Sequence, residues 1–209
     1  MLLPLLCLLQ AASPESLSLR TIERPPGSGE FLDSARFGSP ALRLRTHQGI
    51  ALVWLLRVSD TFFVAATIPD STPYWGDDFI VSMNIRGKGG ANPGHDDFQW
   101  YFRRTLDSSV IYRGRGGRWE APRGDPDWRL GTDRSGGGWE VSARDDPERW
   151  SLILQLDPAW LQSGEGRLPR LAFRIYDNSP QGWFAWPHSA GVTAVSVEQT
   201  PSLWGFIGK

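Results

Sequence analysis

The chain has 209 residues, 40% hydrophobic and 22% charged, with 22 basic side chains against 23 acidic ones. That balance excludes wholesale disorder and a polytopic membrane protein, and it leaves no global field to draw the chain onto nucleic acid or an anionic bilayer. Glycine (23) and proline (16) together approach a fifth of the residues, against roughly an eighth in average chains, so long helices are not expected. Eleven tryptophans mark an indole-rich core or an indole-rich binding surface.

Residues 1–13 open with MLLPLLCLLQAA, an apolar run of signal-peptide length and too short to cross a bilayer. It predicts a secreted or periplasmic protein that loses its sole cysteine, Cys7, with the signal. Residues 14–30 carry Pro25-Pro26-Gly27-Ser28-Gly29 and read as a linker or lead-in strand. The packed domain is expected over 31–209. Within it, apolar segments of strand length recur at 41–46, 49–58, 61–68, 78–85, 97–104, 137–142, 149–156, 170–176 and 191–198. Leu42 and Leu44 alternate with Arg43 and Arg45, and Leu152, Leu154 and Leu156 form a wholly apolar face. Ile50 to Leu56 is apolar on both faces and suits a central strand. The pattern predicts an all-β antiparallel β-sandwich, jelly-roll-like, with one short helix at Asp157–Leu161, where Asp can cap and Pro158 fits the first turn. The stretch 105–148, poor in apolar residues and rich in Gly and Arg, reads as loop or a wide-tipped hairpin.

Enzyme signatures are absent from the pattern. His47, His95 and His188 are dispersed and offer no zinc spacing. No glycine-rich run sits between a strand and a real helix, which removes nucleotide and dinucleotide loops. The pairs Asp77-Asp78, Asp96-Asp97 and Asp145-Asp146 do not make a glycosidase, because neighbours in a strand point to opposite faces. A non-catalytic, monomeric protein is expected.

From Leu42 to Trp204 an ordered set of pieces carries a family resemblance: Val58 to Val64; Tyr74-Trp75-Gly76-Asp77-Asp78-Phe79-Ile80-Val81; Asp96-Asp97-Phe98-Gln99-Trp100; and Gly138-Trp139-Glu140. Trp150 to Leu154 leading into Pro158-Ala159-Trp160-Leu161, Phe173 to Asn178, and Trp183 or Trp186 before Pro187 complete the series. In this order they resemble the family 9 carbohydrate-binding modules. The resemblance implies a polysaccharide or oligosaccharide ligand, as in modules that accompany glycoside hydrolases. It implies a sugar held between two indoles, matched by Trp75 and Trp186 with Trp183 beside them, and polar partners at Gln99, Arg103 and Asn178. A sugar ring has an apolar C–H face that stacks on an aromatic, while its hydroxyls need directed partners; Arg103 supplies a planar fork and Asn178 both donor and acceptor. Where the family has a glutamate after the Trp-Asp step, this sequence has Val81, which implies one sugar hydrogen bond fewer. The resemblance also implies structural calcium, for which Asp77-Asp78 and Asp96-Asp97 offer hard oxygens without a fixed ligand spacing.

Three other readings stay open at this level. The same sandwich architecture includes haem-binding periplasmic redox domains, and Met83 with His95 or His188 would be the axial pair. Trp100-Tyr101-Phe102-Arg103-Arg104 and the arginines of 113–118 interleave rings and guanidiniums as single-strand binders do, although export and neutral charge speak against nucleic acid. A structural or partner-binding sandwich needs no small ligand at all.

Overall fold

The alternating segments pair into two stacked sheets in a computed structural model, which describes residues 15–27, 32, 34–72, 76–104, 109–121, 139–157, 169–188 and 192–208. The expected signal segment, and the expected helix beyond Asp157, lie outside these residues. In chain order the strands are β1 (Ser16–Ser18), β2 (Arg20–Thr21), β3 (Leu42–Arg45), β4 (Ile50–Val58), β5 (Thr61–Pro69), β6 (Asp78–Asn84), β7 (Asp97–Arg103) and β8 (Val110–Arg115). They continue with β9 (Arg118–Glu120), β10 (Trp139–Asp146), β11 (Arg149–Leu156), β12 (Arg170–Asn178), β13 (Gln181–Trp186) and β14 (Gly205–Gly208). Two short helices, α1 (Ser34–Phe37) and α2 (Ala194–Gln199), complete the elements used below.

The larger sheet runs β1-β14-β12-β6-β7-β8-β9 with β13 also paired to β12, and the smaller runs β10-β11-β5-β4-β2 with β3 also paired to β4. Pairing is antiparallel except at β1–β14 and β2–β4. The fold is therefore an all-β sandwich. Its lead-in residues are part of it, since Leu17 of β1 is buried in the core.

Period-two alternation decides what each face buries. Val53, Leu55, Val64, Leu152 and Leu154 of the smaller sheet meet Phe79, Val81, Trp100, Phe102 and Phe173 of the larger one in a single core. The outer face of the smaller sheet carries a second cluster, with Trp54, Leu56, Phe63 and Ile153 packed beneath Leu32 and Phe37. That second layer is why Ile50 to Leu56 is apolar on both faces. On the outer face of the larger sheet Ala172 packs with Val197 of α2 and with Trp204. Elsewhere that face mixes polar and charged residues with Ile80 and the exposed Trp183.

Two segments differ from expectation. The strand expected over 191–198 is instead α2, because Thr193 and Ser196 form a reciprocal capping box: the Thr193 side chain accepts from the Ser196 backbone N–H, and Ser196 returns the bond. Inside the stretch read as loop or wide-tipped hairpin, β8 and β9 form a hairpin whose tip, Gly116-Gly117, takes positive φ values of 58° and 83°, which suits glycine. Residues 181–186, outside the expected strand segments, form β13, a strand in full register with β12.

Candidate functional site

Residues directly opposite one another in an antiparallel ladder share a face, so the register of the larger sheet builds its outer surface row by row. Trp183 of β13 lies opposite Tyr176 of β12, Tyr176 opposite Asp78 of β6, and Asp78 opposite Arg103 of β7. Four strands thus place an indole, a phenol, a carboxylate and a guanidinium in one line. The adjacent row holds Ala185, Arg174, Ile80 and Tyr101, and the row after it Ala172, Ser82 and Gln99.

Trp183 is 43% exposed. Its ring centroid is 4.8 Å from that of Tyr176, and the Arg174 guanidinium carbon lies 4.9 Å from it, within cation–π range. Asp78 is buried, accepts a short hydrogen bond from the Tyr101 hydroxyl, and has Oδ1 3.5 Å from Arg103 Nε. Burial raises the Asp78 carboxyl above its ordinary range, and burial together with the Asp78 contact raises the Tyr101 phenol. Arg174 is buried and donates from Nη1 to Glu198 Oε2 at 2.7 Å. Burial lowers its affinity for the proton, and Glu198 works against that. The row is polar, largely preset by its own ion pairs, and flanked by one broad exposed indole.

The sequence-derived residues divide between faces. Trp183, Arg103, Gln99 and Asn178 share the outer face, although Gln99 is buried with Nε2 donating to Ser82 Oγ at 3.3 Å. Asn178 sits at the end of the row, where a methyl group added to Gly76 would come 3.2 Å from its Cγ. Trp186 lies opposite Phe173 on the inner face, 4% exposed, with ring centroids 5.9 Å apart. In this position it packs the core. Trp75 lies outside the described residues. Val81 is likewise an inner-face core residue, so it is not the counterpart of a sugar-facing acid; Ile80 and Ser82 are the outer-face residues of β6 at that point. The signal that sorts these residues is register, which alternation alone does not supply across a turn of unknown length.

The acidic pairs separate too. Asp77 turns away from Asp78 into a buried cluster with Asp70, Asp177 and Arg104 around a small hollow. Burial and a hydrogen bond that the protonated acid donates to Asp70 raise the Asp77 carboxyl to about 7, and burial raises Asp177. Arg104 supplies the compensating charge: Nη1 is 3.3 Å from Asp70 Oδ2 and 3.7 Å from Asp77 Oδ2, and Nη2 is 2.6 Å from Asp145 Oδ1. Asp97 accepts from Asn84 Nδ2 and from the Gly94 backbone, whereas Asp96 pairs with Arg86 and His95. Among the described residues no three His, Cys, Asp or Glu side chains come together to hold a metal ion.

The rival sites do not assemble. Met83 is in the core, while His95 and His188 are exposed, so no axial pair for haem forms from these residues. In the aromatic–arginine run, Trp100 and Phe102 face the core and Arg104 is buried, which leaves only Tyr101 and Arg103 on the outer face. Among the described residues no helix is long and apolar enough to cross a membrane.

No family model and no curated protein matches the sequence. The fold is similar to solved structures of a family 9 carbohydrate-binding module from Caldicellulosiruptor kristjanssonii. The complex with glucose shares 14% identity at a TM-score of 0.54, over 91% of this chain and 94% of that one. The complex with cellotriose shares 13% identity at 0.55, over 92% of each. The fold is that of the family 9 modules. At this identity the likeness is one of architecture, and unrelated sites share architectures.

Proposed function

We propose that the chain is an exported, non-catalytic saccharide-binding domain whose site is the outer-face row Trp183–Tyr176–Asp78–Arg103. The observation that carries this reading is the row itself: one large exposed indole in line with a carboxylate and a guanidinium already paired in place. A pyranose stacks its C–H face on Trp183 and exchanges hydroxyl hydrogen bonds with Arg103 and Asn178. Trp75, which precedes Gly76 in the sequence, is the second stacking residue in this reading. Trp183 replaces Trp186 as its partner because Trp186 is used in the core. Solved modules of this fold hold glucose and cellotriose, which supports a neutral saccharide at the row.

Non-catalytic binding fits the state of the carboxylates. Asp78, Asp97 and Glu198 on this face are each already bonded, to Tyr101, Asn84 and Arg174, whereas glycoside hydrolysis needs two carboxyl groups placed either side of one bond. Export rests on the apolar segment at residues 1–13. The test is a titration of uncharged cello- and xylo-oligosaccharides followed by tryptophan fluorescence, with Trp183→Ala, Trp75→Ala and Arg103→Gln beside the wild type. Affinities of about 1 μM to 1 mM are expected, weakened about tenfold or more by either tryptophan change. Wild-type binding by Trp183→Ala would refute the row as the site.

A further inference from the structure

Along the side of β13 away from β12 the sandwich is open. Among the described residues β3 pairs only with β4 and β13 only with β12. The two strands approach at one end, where His47 Nδ1 lies 3.1 Å from the Pro180 carbonyl oxygen and Gln48 Nε2 donates to the Ser179 carbonyl at 2.8 Å. Beyond that junction they border a cleft of about 810 Å³, a volume within the range of small-molecule sites. Leu42, Leu44, Phe184 and Trp186 give the cleft an apolar side, and Trp183 also lines it. The same indole thus belongs both to the outer-face row and to this cleft.

The charges at the cleft are unbalanced. Alternation along β3 turns Leu42 and Leu44 to the core and leaves Arg43 and Arg45 exposed, two residues and roughly 7 Å apart on one side of the strand. Neither guanidinium makes an ion pair or hydrogen bond with any described residue. The acid that lines the cleft, Glu15, already accepts from the His188 backbone N–H at 2.8 Å. That bond leaves Glu15 its charge, so the described lining sets two guanidiniums against one carboxylate, a net positive charge. A neutral sugar would leave both forks without partners, whereas carboxylate or sulfate groups along a sugar chain match them. The exposed backbone edges of β3 and β13 supply donors and acceptors for the remaining hydroxyls.

We infer that the cleft between β3 and β13 takes an acidic oligosaccharide, a uronic-acid chain being the simplest case, with one ring stacked at Trp183 and the charged groups held at Arg43 and Arg45. This rests on the reading of the Trp183 row as a saccharide site, and it extends that site from one ring to a chain and sets its charge class. A polypeptide strand fits less well, since the His47 and Gln48 contacts close the gap that a strand added between β3 and β13 would have to run through.

The experiment titrates the full chain with oligogalacturonate, a cello-oligosaccharide of equal length and poly-glutamate, in low and high salt, for wild type, Trp183→Ala and the double variant Arg43→Gln/Arg45→Gln. Both arginines are exposed and outside the row, so the double variant is expected to fold normally and to keep its affinity for the neutral chain. The inference expects oligogalacturonate to bind about tenfold or more tighter than the neutral chain at low salt, with the advantage lost in the double variant and at high salt. Equal affinity for acidic and neutral chains, unchanged by the double variant, overturns the acidic cleft and leaves the row intact. Poly-glutamate binding as tightly as oligogalacturonate also overturns it, by showing that charge alone is read. Failure of both saccharides to bind, or binding indifferent to Trp183→Ala, overturns the row itself and the cleft with it.

Discussion

The Asn178 backbone N–H donates to Asp77 Oδ1 at 3.0 Å, across 101 residues of sequence. This bond joins the end of β12, two residues beyond Tyr176 of the row, to the turn that follows Trp75. Asp77 also accepts the Arg104 backbone N–H at its carbonyl, at 3.0 Å. The buried acid is therefore the knot from which the chain enters β6 and leaves β7, next in sequence to Asp78 of the proposed row and tied to Arg104, next to Arg103.

The protonation of that acid sets a pH dependence. Asp77 titrates at about 7 in the folded chain against 3.8 for the free side chain, so the folded state keeps a proton that the unfolded state gives up. The associated stability is complete below about pH 4, declines as pH rises toward 7, and is gone above about pH 8. Asp78, Asp97 and Asp177 are raised by burial and add the same sign. The exposed Asp146, lowered by its bonds to Glu148 and Arg149, has the opposite sign but acts only at acid pH. The melting temperature is expected to fall between about pH 5 and about pH 8, and Asp77→Asn, which mimics the protonated acid, to flatten that slope. A melting temperature that rises over this interval would contradict the assignment.

Removing the cation of the same cluster should be costlier. Arg104 donates from Nε to Asp145 Oδ1 at 2.8 Å, from Nη1 to the Thr72 carbonyl at 2.7 Å and from Nη2 to the Asp146 carbonyl at 3.1 Å, while facing Asp70 and Asp77. Arg104→Met leaves the buried Asp70 carboxylate, and Asp77 once it has lost its proton, without a counter-charge, an uncompensated loss of about 3–5 kcal/mol. Arg104→Lys keeps the charge but not the fork, and should lose an intermediate amount. Urea unfolding reads both, and a midpoint unchanged in Arg104→Met would show the cluster to be inert.

Much of the sandwich was legible from alternation, because β4, β5, β6, β7, β11 and β12 each bury a full apolar face and little else competes for those sequences. Elements whose stability comes from neighbours were not. β8 and β9 are rich in Gly and Arg and are strands because β7 pairs with them. α2 was misread because its valines carry strand propensity while the Thr193–Ser196 box sets the backbone. At the site, residue types were readable and faces were not. Trp183 and Trp186 are three apart, so a strand through both must point them to opposite sides, and only the pairing of β13 with β12 reveals that a strand is there.

That opposition gives a paired prediction. Trp186→Ala empties a core position against Phe173 and is expected to cost about 3–5 kcal/mol. Trp183→Ala removes an exposed ring held by Tyr176 and Arg174, and should cost no more than about 1 kcal/mol while abolishing saccharide binding. Chemical denaturation of the two variants side by side decides it, and the reverse order of cost would mean that the two indoles have exchanged roles.

Beneath Trp183 the asymmetry of one ion pair makes a sharper test. The Arg174 side chain is 3% exposed and its partner Glu198 is 31% exposed. α2, which carries Glu198, is further pinned by Trp204 Nε1 donating to the Val197 carbonyl at 2.6 Å and Trp119 Nε1 donating to the Glu198 carbonyl at 3.1 Å, so the helix stays in place when the side chain changes. Glu198→Gln keeps the shape but leaves a buried guanidinium with weakened compensation. Arg174→Met leaves a carboxylate that reaches water. Because an orphaned buried charge costs more than an orphaned half-solvated one, Glu198→Gln is expected to be the more destabilising, by about 1 kcal/mol or more, although it is the smaller change in structure. Arg174→Met should instead weaken saccharide binding, since it removes the cation under the indole face. Urea midpoints and fluorescence titrations on both variants read the two effects separately, and equal midpoints would show that the pair is solvated in solution and does not support Trp183.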